Sequence, residues 1–85
     1  MTAEADSAAL LDLIRAMATE LVDNPGEVDV SEVAGDQNTV IELRVAQGDI
    51  GKVIGKEGRT AQSMRTILSA VSQKLGRRAH LDIVD

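Results

Sequence analysis

Leu10, Leu11, Ile14, Met17, Ala18, Leu21 and Val22 recur at spacings of three and four, which lines one face of a helix. Asp6 or Ser7 stands at its start, where a short side-chain oxygen accepts an orphan backbone N–H. The polar stretch Met1-Thr2-Ala3-Glu4-Ala5-Asp6 ahead of it reads as a frayed end. Asn24-Pro25-Gly26 stops the helix, because proline disfavours helical geometry in the preceding residue. The period then changes to two. Val28 and Val30 alternate with Glu27, Asp29 and Ser31, while Ile41, Leu43 and Val45 alternate with Glu42 and Arg44. Val33 breaks the parity of the first strand, so a bulge or an early end is expected there. Gly35-Asp36-Gln37-Asn38 supplies the hairpin connection.

Asp49 to Ile54 reads as a short helix, interrupted by Gly55-Lys56-Glu57-Gly58. A long helix starts at Arg59, with Ala61, Met64, Ile67, Leu68, Val71 and Leu75 as its buried stripe. Gly76 ends it, where a left-handed residue is commonly needed. Arg78 to Val84 closes the chain as a strand with Ala79, Leu81 and Ile83 inward and His80 and Asp82 outward. The order helix–strand–strand–helix–helix–strand puts every inward strand residue on one face. Three helices then cover one side of a three-stranded sheet, an α+β two-layer sandwich. At 85 residues the chain has room for one domain, 1–85, with an ordered core over about 8–84.

Composition narrows the chemistry. There is no cysteine, which excludes disulfides, thiolate metal sites and cysteine nucleophiles. One histidine, His80, cannot build a multi-histidine metal site. Absence of Phe, Trp and Tyr excludes a fold that stacks bases on its own aromatics. No apolar run approaches the roughly 18 to 20 residues that span a bilayer. The acidic start lacks the basic segment of a secretory signal, so a cytoplasmic location is expected. No pair of carboxylates, serine with a base, or ligand set stands out, so no enzyme and no cofactor is expected.

The net charge of −5 conceals an asymmetry. Residues 1–49 hold eleven Asp/Glu against two Arg, and residues 50–85 hold seven Lys/Arg against three Asp/Glu. A basic patch on an acidic body fits an anionic partner, and a solvated helix face produces the same pattern.

Most of that patch surrounds Ile50-Gly51-Lys52-Val53-Ile54-Gly55-Lys56-Glu57-Gly58-Arg59. Glycine between two well-patterned helices costs chain entropy, so Gly55 and Gly58 imply a tight loop with unusual backbone angles. The loop feeds a helix N-terminus, where unpaired N–H groups and the dipole favour an anion. A Walker loop fails on spacing, since Lys56 occupies the place of its second glycine. A dinucleotide fingerprint also fails, because the glycines are Gly51, Gly55 and Gly58. A plain helical corner remains the competing reading of a bare G-x-x-G.

Val53-Ile54-Gly55-Lys56-Glu57-Gly58 between two helices resembles the signature of the KH domain, and the element order resembles its type II, bacterial form. Glu42-Leu43-Arg44-Val45, Asp49 to Lys56, Gly58-Arg59-Thr60-Ala61-Gln62, Leu68-Ser69-Ala70, Lys74-Leu75-Gly76 and Leu81-Asp82-Ile83-Val84 are similar to the small single-KH KhpA family. The likeness runs over roughly residues 8–84. It departs from many KH domains at Ala61, where a large aliphatic residue is common, and at Glu57, which puts a negative charge inside the loop.

The resemblance implies a cytoplasmic protein that binds single-stranded RNA and acts as an RNA chaperone. It implies pairing with itself or with a KhpB-like KH protein, and a link to cell-envelope and cell-length homeostasis. In a KH groove, Gly55 and Gly58 set the loop shape, Lys56 contacts a phosphate, and Lys52 and Arg59 support it. Ile50, Val53 and Ile54 then form a wall and part of the floor for about four unstacked bases. Gly51 and Glu57 complete the implied RNA-binding set. Leu43 and Val45 are expected in the core, while Arg44 either reaches the rim or pairs with an acid. Arg77 and Arg78 extend the basic patch or serve the negative end of the helix before them. His80 reads as solvated. A protein–protein adaptor with little RNA affinity is the alternative, favoured by the acidic first half and Glu57.

Overall fold

Alternating apolar residues give three strands that pair side by side in the order β1-β2-β3. In the computed structural model, which describes residues 3–35 and 38–84, β1 spans Asp29–Ala34, β2 Asn38–Arg44 and β3 Arg78–Ile83. The first pair is antiparallel, with Val30 opposite Leu43, and the second is parallel, with Ile41 opposite Leu81. The connection from β2 to the parallel β3 carries two helices, α2 (Ile50–Ile54) and α3 (Arg59–Lys74). A parallel pair requires such a crossover. The helix α1 (Ala3–Leu21) precedes the sheet and packs against β1 and α3.

The core lies between sheet and helices. Leu10, Ile14 and Ala18 of α1 meet Val30, Ile41, Leu43 and Leu81 of the strands and Val53, Met64 and Leu68 of α2 and α3. The two-layer arrangement read from the element order is the one observed. Truncating a fully buried leucine such as Leu68 to alanine costs about 2–5 kcal/mol in cores of this kind.

Several local expectations are corrected. The helix α1 begins at Ala3, so Asp6 and Ser7 lie inside it and cap nothing. Ser7 instead accepts a hydrogen bond from Arg77 at 3.0 Å, and the same guanidinium donates to Thr39 at 3.2 Å. Arg77 thus ties α1, β2 and the start of β3 together. Val33 causes no bulge: β1 pairs in unbroken register through Val33 and Val40 to Ala34 and Thr39. Its side chain points away from the helices, which leaves it 53 % exposed and removes the parity conflict. Ile67 is 43 % exposed, because α3 turns that face outward, and Ser72 takes a buried place instead. The Ser72 hydroxyl is satisfied by donating to the Ser69 carbonyl at 3.0 Å. The hairpin connection falls partly outside the described residues; its flanks are joined by the Gly35 N–H donating to the Asn38 carbonyl at 2.8 Å.

Candidate nucleic-acid interface

A single turn at Gln47–Asp49 leads into α2, whose five residues end at Gly55. The Gly55 N–H donates to the Gly51 carbonyl at 2.9 Å, which closes the helix. Gly55 itself adopts φ 78°, ψ 172°. That region is essentially restricted to glycine. A Cβ there would also lie 2.6 Å from the Thr60 Cβ and 2.9 Å from the Thr60 nitrogen. Two more left-handed residues follow, Glu57 at φ 58° and Gly58 at φ 73°. The Gly58 N–H then donates to the Gly55 carbonyl at 3.1 Å. The turn feeds α3, which starts at Arg59 as the sequence indicated.

Asp49 anchors this corner from below. It is 2 % exposed and accepts hydrogen bonds at 3.0 Å from both the backbone N–H and the side-chain amide of Asn24. Burial pushes its carboxyl up, but the hydrogen bonds from Asn24 and from the Asp23 backbone, with the Lys52 charge, outweigh burial and hold it below the usual value. The segment after α1 is thereby fastened to the start of α2. Sequence reasoning placed Asp49 at the helix start and missed this link. The two residues lie 25 positions apart, and no periodicity signals such a pairing.

The ten residues expected at the site are contiguous, and the fold separates their roles. Lys56 and Glu57 are exposed at the tip, and Gly51, Lys52 and Arg59 are exposed beside it. Ile50 and Ile54 are half-buried, which leaves apolar surface next to the loop. Val53 has no exposed surface. It belongs to the core, on the inner side of α2, and supports the loop instead of forming a groove wall. Two loop cations are paired: Lys52 with Asp23 at 3.4 Å and Arg59 with Glu57 at 3.3 Å. Both pairs are solvated, so each contributes little and yields readily to a stronger anion. Among the described residues Lys56 has no ion pair. Arg44 pairs with Glu42 at 3.5 Å on its own strand. Leu43 is fully buried and Val45 packs against the core.

The arrangement offers a cationic tip, a backbone with two glycines at the surface, and a helix N-terminus facing the same turn. These features suit an anionic backbone passing close to the main chain. Among the described residues no cluster of His, Cys, Asp or Glu could hold a metal ion, and no helix is long and apolar enough to cross a membrane.

The KhpA/KhpB KH-domain family matches residues 11–83. The RNA-binding protein KhpA of Aquifex aeolicus is 49 % identical over 77 residues, covering 91 % of this chain and 98 % of that protein. The protein of the same name from Borreliella burgdorferi is 43 % identical, covering 88 % and 92 %. Among solved structures, Aquifex aeolicus Era bound to GDP.AlF4- superimposes with a TM-score of 0.62 at 22 % identity over 88 % of this chain. Era in complex with MgGDPNP and nucleotides 1506–1542 of 16S ribosomal RNA gives 0.61 at the same identity over 87 %. This chain spans less than a third of either Era chain, 29 % and 28 %, and at that identity the likeness concerns the fold.

Two outcomes test the local geometry. Gly55→Ala should destabilise the domain by more than about 2 kcal/mol, since glycine-only backbone strain and overpacking each cost about 1–3 kcal/mol. Gly58→Ala meets open space and should cost only about 1–2 kcal/mol for a left-handed residue. Urea unfolding followed by circular dichroism checks both; equal losses would mean that the Thr60 contact does not constrain the loop.

Because the Asp49 carboxyl titrates below its ordinary value in the folded state, its contribution is present at neutral pH and lost as acid protonates it. The melting-temperature gap between the native chain and Asp49→Asn should therefore narrow as pH falls through the carboxylate range. A gap that is constant from pH 7 to 3 would contradict this role.

Proposed function

The chain belongs to the KhpA/KhpB family of KH domains, and from that premise we propose that it binds single-stranded RNA at the Gly55–Gly58 loop. The observation that carries this reading is the loop itself. Gly55 and Gly58 bring main chain to the surface, Lys56 stands unpaired at the tip among the described residues, and half-buried Ile50 and Ile54 adjoin it. A phosphodiester backbone crosses the loop, and about four bases lie against α2 and α3. Lys56 contacts a phosphate directly. Lys52 and Arg59 join after exchanging Asp23 and Glu57 for phosphate.

Relatives of this chain are named RNA-binding proteins, and the family is not one of enzymes. The sequence resemblance further supports a cytoplasmic RNA chaperone that regulates transcripts after transcription. In this reading it works as a homodimer or with a KhpB-type partner and contributes to cell-envelope and cell-length homeostasis. A four-nucleotide site with few cations is weak by itself, and joining two such sites on one strand raises avidity by roughly 10² to 10⁴-fold.

Lys56→Asp combined with Glu57→Asp should reduce affinity for single-stranded RNA at least about tenfold, since it replaces the tip cation with a second acid. Aspartate tolerates the left-handed conformation at position 57, and both residues are exposed, so the melting temperature should barely move. Fluorescence anisotropy with a labelled oligoribonucleotide measures the first effect. Unchanged affinity in the folded variant would remove the loop from binding and leave the adaptor reading in its place.

A further inference from the structure

The acids of this chain avoid one region completely. Residues 58–81 contain no Asp or Glu and five Lys/Arg, in a chain with fourteen acids among 85 residues. This stretch is the end of the loop, all of α3 and the first four residues of β3.

On the surface it forms a continuous path. Arg59, Gln62, Thr66, Ser69 and Gln73 recur at spacings of three and four, so they share one face of α3 that begins at the loop. A depression of about 380 Å³ is lined by Gln62, Arg65, Thr66, Ser69, Ala70 and Gln73. Arg65 leans across it, its Nε donating to the Leu81 carbonyl at 3.4 Å. Ser69 and Gln73 also line a second, larger depression of about 1010 Å³ that reaches Asn38, Arg78 and His80. No carboxylate lines either depression among the described residues.

Arg77 and Arg78 divide their work. Arg77 is turned inward and donates to Ser7 and Thr39. Arg78 and His80 are exposed on the outer face of β3, opposite Asn38 and Val40. Neither has an ion pair or side-chain hydrogen bond among the described residues. The end of α3, whose dipole would repel an anion, is tied back on itself. The N–H groups of Leu75, Gly76 and Arg77 occupy the carbonyls of Val71, Gln73 and Ser72.

We propose that the RNA strand held at the loop continues along this acid-free face of α3 to a second phosphate-contact site at Arg78 and His80, so that one domain engages roughly eight nucleotides instead of four. The proposal rests on the loop being an RNA site. The helix α3 has 16 residues and is about 24 Å long at a 1.5 Å rise. A strand whose phosphates are at least ~3.4 Å apart covers that length with no more than about seven of them. Arg78 donates to a phosphate at the far end, His80 offers a ring N–H, and Gln62, Ser69 and Gln73 supply neutral hydrogen bonds between.

Mixed-sequence oligoribonucleotides of four, eight and twelve nucleotides test this, titrated against the native chain, Arg78→Glu, Arg78→Lys and the Lys56→Asp/Glu57→Asp variant. The expected gain from four to eight nucleotides is more than tenfold, beyond the few-fold that extra binding registers provide. From eight to twelve it is under about threefold. The salt slope should steepen by about 0.7, the single-strand value for the one phosphate that Arg78 neutralises. Arg78→Glu should erase the gain and the extra slope while leaving the four-nucleotide affinity and the melting temperature unchanged, and Arg78→Lys should retain most of both. Equal affinity for four and eight nucleotides, or an Arg78→Glu variant that keeps the gain, would overturn the second contact. If the loop variant abolishes four-nucleotide binding in that same experiment, the loop reading survives the loss. If the loop variant binds every length as the native chain does, the loop reading itself fails.

Discussion

Gly55 must turn the chain back within a space that Thr60 already fills. Its φ and ψ are open only to glycine, and a Cβ would stand 2.6 Å from that of Thr60. This one backbone constraint sets the angle between α2 and α3. With it comes the placing of Val53, Met64 and Leu68 in the core and of Lys56 and Glu57 outside it. The same glycine therefore serves packing below and, in the proposed reading, ligand approach above. Asp49 holds the other end of α2 through two hydrogen bonds to Asn24, so the short helix is fixed at both ends despite its five residues.

Charge is arranged on the same plan. Acids crowd α1, β1 and the turn between them, and the α3 side carries none from residue 58 to 81. At the border the two signs meet in exposed pairs, Lys52 with Asp23 and Arg59 with Glu57. Such pairs contribute little to stability. In the proposed reading an incoming phosphate must replace a carboxylate at each pair, which tempers affinity. An acidic body also discourages nonspecific adherence to polyanions away from the loop.

The elements were largely legible because their signals are local. Periodicity located Leu10, Ile14 and Ala18 under α1, the start of α3 at Arg59, and the left-handed Gly76 after it. The glycine pair located the loop. What remained illegible depends on contacts distant in sequence. Nothing near Asp49 announces Asn24, and nothing near Ser7 announces Arg77, 70 residues away. Val33 and Ile67 are apolar residues that the tertiary arrangement leaves outside, which composition does not reveal. Val53 sits in the motif yet faces inward, since a five-residue helix must bury one side to stay folded.

The account is tested most directly by following backbone amide resonances of the isotope-labelled chain while single-stranded RNA is added. Perturbations should begin at Gly51 to Arg59, extend down the Gln62, Ser69 and Gln73 face of α3, and leave α1 and β1 unmoved. Shifts confined to the acidic α1 and β1 side, or an unperturbed Gly55–Gly58 loop at saturating RNA, would contradict it.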